Sequence, residues 1–495
     1  MVYARLKSRD DNSKKEERIV KNRLIHPMTG ILAAMFVVTA FPSDAIPTFA
    51  RKYSTSCMTC HESFPRLNAV GEAFRLNGFK FLDDELYIKE VPVEMGDEAY
   101  KNLWPKNAVW PSSIPGLPPI SITLQSELDF DIGGDEEARS NFAFPNQVKL
   151  LGAGAFGEHT SFFVELGFEQ GAGGHGGHGG EEESGVEVEM EGWMQFEDLF
   201  GITNKLNLRV GTVGMQELGL FTARNHNRLT VNPYLYSSGS VPTLGHHQLE
   251  EIQAALGLAE VPEFESTPFS LHAQPGIELN GFGKRWRYAF GVVNGNGSVS
   301  DNNSEKDLYL QLAWKFGGRA FDGSLSEGEA GLGSAEPWRD NSVTLSLFGY
   351  RGTETVIAGD VETEDDFWRV GPGVRWKYND FALNVGYAFG RNDNPYGDFG
   401  TESVDSHAWF VEAEYFVFPW LVNSCRYESM KVDLDSGIFD EDPNAELQRI
   451  IVSAKALIRA NVSLTAEARL NTKEKGPIES IGGGDQIALA LNFAF

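Results

Sequence analysis

The chain has 495 residues, a formal net charge of −28 and a sequence pI of about 4.8. It is too long for one small domain and too acidic for a nucleic-acid binder. Its 53 glycines and 34 phenylalanines accompany a mean hydropathy of −0.27, and its one long apolar run lies near the N-terminus, which excludes a helical transmembrane bundle. A polar chain rich in aromatics and glycine fits an outer-membrane barrel, where lumen-facing polar residues alternate with lipid-facing apolar ones. A soluble all-β protein shares that profile, so the order of elements along the chain has to decide.

The basic residues Lys14, Lys15, Arg18, Lys21 and Arg23 precede an apolar core at 31–41, and Ser43-Asp44-Ala45 offers a small-x-small cleavage site. This order predicts a secretory signal peptide over 1–45. The apolar core is too short to serve comfortably as an inner-membrane anchor. Removing the 8 Lys/Arg and 5 Asp/Glu of the leader takes the net charge from −28 to −31.

The second segment, 46–119, is centred on Cys57-Met58-Thr59-Cys60-His61. This is the C-x-x-C-H pattern of covalent c-type haem attachment: the two thiols add to the haem vinyl groups and the imidazole becomes an axial iron ligand. Export fits, because that haem is attached outside the cytoplasm. With 3 cysteines in the chain and Cys425 far away, a Cys₄ zinc site is excluded. A thioredoxin-type pair lacks its βαβ context. Phe74 and Phe79 are expected as apolar cover for the porphyrin. Arg51, Lys52, Arg66 and Arg75 are candidates to neutralise propionates, or else to meet solvent or an acidic lumen. Met95 is the nearest methionine after the motif and a candidate distal ligand; packing, or a barrel histidine in its place, is the other reading. The prolines from Pro105 to Pro119 predict a linker.

From residue 120 the pattern changes to period two. Val462, Leu464, Ala466, Ala468 and Leu470 alternate with Ser463, Thr465, Glu467 and Arg469, so the two sets face opposite sides of a strand. Sixteen strands are expected, over 120–131, 146–156, 160–169, 187–198, 205–214, 269–281, 286–294, 306–316, 342–351, 367–377, 380–390, 406–416, 421–431, 447–458, 461–471 and 485–495. Connections alternate long and short, with 317–341 the exception and 352–366 among the long ones. That parity is the mark of a barrel with short periplasmic turns and long external loops. The ending Ile487, Leu489, Leu491, Phe493, Phe495 has the alternation of a last outer-membrane strand. The fold expected is therefore an all-β outer-membrane β-barrel of about sixteen antiparallel strands over 120–495, with a small N-terminal c-type cytochrome segment that could plug the lumen.

Phe49-Ala50-Arg51, the haem motif, Pro65-x-Leu67-Asn68, Gly71-x-x-Phe74 and Gly78-Phe79 together resemble the fused monohaem cytochrome c–porin family, outer-membrane iron oxidases of iron-oxidising bacteria. The likeness covers roughly 35 residues around the haem motif. It implies one covalent haem c, extracellular Fe(II) as electron donor and a periplasmic cytochrome as acceptor, in contact with outer-membrane lipid and without nucleic acid. Similar fusions occur in bacteria not known to oxidise iron. A haem-bearing porin that passes ions or solutes, and electron export in the reverse direction, therefore stay open. His175 and His178, in a glycine-rich stretch followed by Glu181, Glu182 and Glu183, could capture a divalent metal outside the cell or be a solvated loop tip. His246 and His247 pose the same choice. Acidic runs in the expected external loops (Asp135-Glu136-Glu137, Glu362 with Glu364-Asp365-Asp366, Glu441-Asp442) would concentrate cations. No hydrolase triad, phosphate loop or nucleotide fingerprint is present.

Overall fold

The computed structural model describes residues 48–53, 55–63, 66–81, 93–95, 112–114, 119–132, 140–156, 159–170, 186–214, 233, 264–265, 274–295, 303–325, 339–358, 361–395, 403–434, 445–459, 461–475 and 484–494. The expected leader, His175, His178, His246, His247 and the acidic runs at 135–137 and 441–442 lie outside the described residues.

The N-terminal segment begins with helix α1 (Thr48–Tyr53) and a 3₁₀ turn (Cys57–Thr59). Strands β1 (His61–Ser63) and β2 (Arg66–Leu67) follow, then helix α2 (Ala69–Leu76). Strands β3 (Val93–Met95) and β4 (Ser112–Ile114) pair with each other, so the stretch expected as a linker contributes a strand. The barrel strands are β5 (Ile120–Asp131), β6 (Ser140–Phe156), β7 (Thr160–Gln170), β8 (Val186–Phe196) and β9 (Asn207–Val213). After the two-residue β10 (Phe264–Glu265) come β11 (Gln274–Phe282), β12 (Trp286–Val293), β13 (Asp307–Gly317), β14 (Ser342–Ala358), β15 (Val361–Tyr378) and β16 (Phe381–Asn392). The last five are β17 (Val404–Phe418), β18 (Leu421–Leu434), β19 (Ala445–Arg459), β20 (Val462–Lys475) and β21 (Gln486–Ala494).

Sixteen of these strands, all but the first four and β10, pair antiparallel in one closed ring. β21 closes on β5 from Gln486↔Asp131 to Ala494↔Thr123, and β9 pairs β11 across the longest connection. Each expected strand is present, with ends that shift by a few residues. The main difference is at 352–366. The expected loop is instead a continuation of β14 and β15, paired from Gly352↔Phe367 to Ala358↔Val361. Thr353, Thr355, Val356, Ile357, Val361 and Thr363 are β-branched, which favours the extended pairing of this hairpin. β10 pairs the tip of β14.

Burial along the strands is inverted relative to a soluble protein. On β13, Leu308, Leu310, Leu312, Trp314 and Phe316 are exposed while Asp307, Tyr309, Gln311, Ala313 and Lys315 are buried. Glu278, Arg369, Glu412 and Glu428 are likewise buried on the inner face. An apolar outside over a charged inside is the requirement of a barrel immersed in lipid. Trp314, Phe316, Trp376, Tyr378, Tyr415 and Phe418 are exposed beside the short turns, where an aromatic girdle anchors such a barrel at the membrane surface. Among the described residues no helix is long and apolar enough to cross a membrane.

Candidate functional site

The Cys57–His61 motif folds as one tight turn. The Ser56 hydroxyl accepts from the Met58 N–H at 3.1 Å, and the Cys60 N–H donates to the Cys57 carbonyl at 3.2 Å. In 3₁₀ geometry side chains three apart eclipse, so Cys57 and Cys60 share a face. His61 follows in β1, half-buried, opposite Leu67 of β2.

Asn68 joins this turn to α2. Its Oδ1 accepts the Val70 and Gly71 N–H groups at 3.0 Å each, capping the helix. Its Nδ2 donates backwards to the carbonyls of Met58 at 3.1 Å and Thr59 at 3.0 Å, and its own N–H donates to the Cys60 carbonyl at 2.9 Å. The residue is fully buried. Any Cβ at Gly71 would collide with the Cys60 carbonyl oxygen, so glycine is what lets the turn sit directly on the helix. At the other end, Gly78 (φ +65°) caps α2: its N–H donates to the Arg75 carbonyl and that of Phe79 to the Phe74 carbonyl.

Phe74 and Phe79 face an aromatic core. Phe74 meets Phe49 at 4.9 Å and Phe81 at 4.7 Å between ring centroids, and Tyr53 meets Phe81 at 4.8 Å. Barrel side chains complete this core, Ala153 and Leu151 of β6 among them. Trp193 of β8 stacks on Phe79 at 5.9 Å and on Phe163 of β7 at 6.0 Å. Met58, between the two cysteines, packs on Phe416 and Val422 of the inner wall.

Charged pairs ring the segment near the short-turn end of the lumen. Glu62 pairs Lys377 and Arg66. Arg66 also meets Glu414 and, at 3.5 Å, Glu412. Glu72 pairs Arg375, and Lys80 meets Glu197 at 2.9 Å. Thr48 bonds Ser121 and the Ile120 carbonyl, and the Asn77 amide donates to the Asp322 carbonyl. These partners lie on β5, β15 and β17 and in the connections after β8 and β13, so the contacts reach around much of the inner wall. Of the four basic residues considered for propionates, Arg66 is committed to lumen carboxylates. Arg51 donates to the Ile120 carbonyl at 2.8 Å, Lys52 lies over the Tyr53 ring and Arg75 over the Phe163 ring.

Electrostatics separates the two kinds of group. Burial pushes the Cys57 thiol up to about 11 and the Cys60 thiol up to about 12. Both are neutral thiols at pH 7, poor metal ligands and poor nucleophiles. A thioether carries no proton and no charge, so the same burial does not oppose it. Burial also pushes Glu62 and Glu72 upward, but the cations around them outweigh it. Lys377 and Arg66 hold the Glu62 carboxyl below the usual carboxylate range, and Arg375, Arg287 and Lys315 do the same for Glu72.

The other sequence candidates are not brought to this place. Met95 lies in the β3–β4 sheet, separate from the sheet of His61. Cys425 is exposed on β18. Of the described barrel histidines, His159 meets Asp198 at 3.2 Å beside a short turn, and His407 contacts Tyr387. The donor set fits a covalent haem: two neutral thiols on one face of a turn and an adjacent imidazole.

No protein-family model and no curated protein matches the chain. Solved outer-membrane structures align with it at low identity. OmpT of Vibrio cholerae is 9% identical over 78% of this chain and 98% of its own, with a TM-score of 0.45. The outer membrane channel DcaP of Acinetobacter baumannii is 11% identical over 76% of this chain and 96% of its own, at 0.45. An anion-selective porin from Comamonas acidovorans is 11% identical over 76% of this chain and 98% of its own, at 0.46. The architecture rests on the chain's own closed strand pairing and inverted burial: it is a porin-like β-barrel of the outer membrane.

Proposed function

We propose that the chain is an outer-membrane electron conduit, in which one covalent haem c held by the N-terminal segment carries single electrons between an extracellular donor and a periplasmic acceptor. Cys57 and Cys60 would hold the group through thioethers and His61 would be its axial ligand; once bound, the group supplies reversible one-electron chemistry. The protein's part is positional. Asn68 and Gly71 fix the attachment turn on α2, while Phe74, Phe79, Trp193 and Phe163 form the aromatic core that packs the segment on the wall. The ion pairs of Glu62, Arg66 and Glu72 hold the segment against the inner wall. What supports the reading is the Cys57–His61 turn packed against the inner wall near the short-turn mouth, the periplasmic side by the usual loop parity.

We take Fe(II) as the donor, each Fe(II) giving up one electron and leaving as Fe(III), with a periplasmic cytochrome reduced in turn. Fe(III) is insoluble near neutral pH, which favours oxidation outside the cell, and the barrel supplies a route across an apolar band about 25 Å tall. The exposed Glu362, Glu364 and Asp366 on the protruding β14–β15 hairpin would draw cations to that side. A second reading is passage of small solutes through the lumen, favoured by the closed porin-like ring and its charged inner face. Planar-bilayer conductance separates the two: a plugged conduit is nearly silent, whereas a porin conducts. Covalent haem staining of the purified chain, and its loss in Cys57→Ala/Cys60→Ala, tests the first reading directly.

A further inference from the structure

Four inward-facing side chains on β12–β15 present polar atoms that have no hydrogen-bond partner among the described residues. Arg287 Nε, both amide atoms of Gln311, Ser346 Oγ, and Arg375 Nε and Nη2 have no hydrogen-bond partner. Yet these residues are only 8%, 2%, 8% and 5% exposed, respectively. Buried polar atoms left in this state are expensive and rare, and an unseen ligand or water is the usual reason for them.

Strand register gathers the four together. Arg287 lies opposite Ala313, which lies opposite Ser346, all on one rung. Gln311 is one rung toward the long loops, opposite Ala289, and Arg375 one rung toward the short turns, opposite Thr344. Neighbours on adjacent rungs are within reach of long side chains. Two of the four, Arg287 and Gln311, border a small cavity together with Leu76, Phe282 and Ala289 at the seam between helix α2 and the wall, and Ser346 and Arg375 lie outside its lining.

Charge decides what the cavity would take. The surrounding cations are matched: Lys315 with Asp340 at 2.7 Å, Lys377 with Glu62, and the Nη1 of Arg375 with Glu72. Among the described residues no ion pair matches Arg287: its guanidinium lies over the Phe321 ring at 5.0 Å, and the carboxylate it acts on, Glu72, is already paired with Arg375. Two guanidinium edges, a carboxamide N–H and a hydroxyl form a donor set for oxygen anions.

We propose that Arg287, Gln311, Ser346 and the Nε–Nη2 edge of Arg375 form a binding site for a small oxyanion at this seam. Two sources share that chemistry: a propionate carboxylate of a haem bound at Cys57 and Cys60, or a free oxyanion such as sulfate entering the lumen. The first source rests on the haem reading above; the site itself does not.

The test is calorimetric titration of sulfate, at constant ionic strength, into the purified full-length chain with its haem and into Cys57→Ala/Cys60→Ala. Heat-modifiable gel mobility confirms a folded barrel in each variant. The haem-free form is expected to bind sulfate, and Arg287→Gln in that background to weaken binding roughly tenfold or more, as loss of a charged donor should. Gln311→Leu, which changes no charge, is expected to weaken it as well. Sulfate binding that is absent from the haem-bearing form assigns the site to a propionate, and equal binding in both forms assigns it to a free oxyanion. Sulfate binding by a wild-type chain that shows no haem α-band would overturn the haem reading and leave the site standing. No binding in either form, the result for a site filled by water alone, would overturn the proposal. So would binding untouched by both substitutions.

Discussion

The N-terminal segment and the barrel wall follow opposite burial rules. In the segment, Tyr53, Phe74 and Phe79 are buried and the charges of Glu62, Arg66 and Glu72 point outward to the wall. In the wall, Leu310, Trp314 and Leu347 face outward into lipid while Lys377, Arg375, Glu412 and Glu414 face inward. A charged coat therefore meets a charged lining at the seam, and fit depends on matching signs pair by pair. Buried ion pairs of this kind add little net stability but penalise any mismatched pose heavily. Aromatic rings of the wall also take part: Phe79 stacks on Trp193, Arg75 lies over Phe163 and Met58 packs on Phe416.

The largest expected effect falls on one region alone. Cys57→Ala/Cys60→Ala is expected to abolish covalent haem completely while the barrel keeps its heat-modifiable mobility on gels. Loss of the barrel in that variant would make the two regions one folding unit and break the contrast.

Next comes the seam. Lys377→Met leaves Glu62 buried beside Arg66 without its wall partner, a change that typically costs about 3–5 kcal/mol. It is expected to loosen the segment and raise ion conductance in planar bilayers, with barrel content unchanged by circular dichroism. The same seam has a pH dependence of known sign. The Glu62 and Glu72 carboxyls are held below their ordinary value of 4.5. Their contribution to docking is full above that value and is lost as the pH falls through their lowered pKa values. Acid, not base, should therefore increase protease access to the segment.

Two smaller effects sharpen the contrast. Leu310→Arg on the lipid face should cost the barrel about 2–4 kcal/mol, read by urea unfolding in lipid vesicles, without altering haem attachment. Asn68→Ala should cost about 1 kcal/mol as a lost helix cap. Asn68→Asp keeps the acceptor but loses the donor to Met58 and Thr59, so it should spare α2 and still alter the haem spectrum. A wild-type spectrum in Asn68→Asp would show that those two bonds do not position the turn.

How legible each region is in the sequence follows from the same contrast. The barrel could be read strand by strand, because lipid outside and polar lumen inside impose period two on every spanning segment. The stretch 352–366 misleads because Glu354, Glu362, Glu364 and Asp366 suggest a loop, although the β-branched residues between them carry the hairpin outward. The turn at Cys57–His61 is legible as a motif, and Asn68 ahead of an apolar run carries an N-cap signal. What encloses the segment is not legible. Glu62 and Lys377 are 315 positions apart, and nothing local in either stretch announces the other. Arg66 shows the consequence: from sequence it could meet a propionate or an acidic lumen, and in the fold Glu412 and Glu414 take it.

The most direct test of the central claim is addition of Fe(II) to intact cells that export the chain with c-type haem maturation machinery, following the reduced haem α-band. The account predicts rapid reduction by Fe(II) in the wild type and none in Cys57→Ala/Cys60→Ala. An attached haem that dithionite reduces but Fe(II) does not would contradict iron as the donor, and a folded barrel with no covalent haem would contradict the conduit itself.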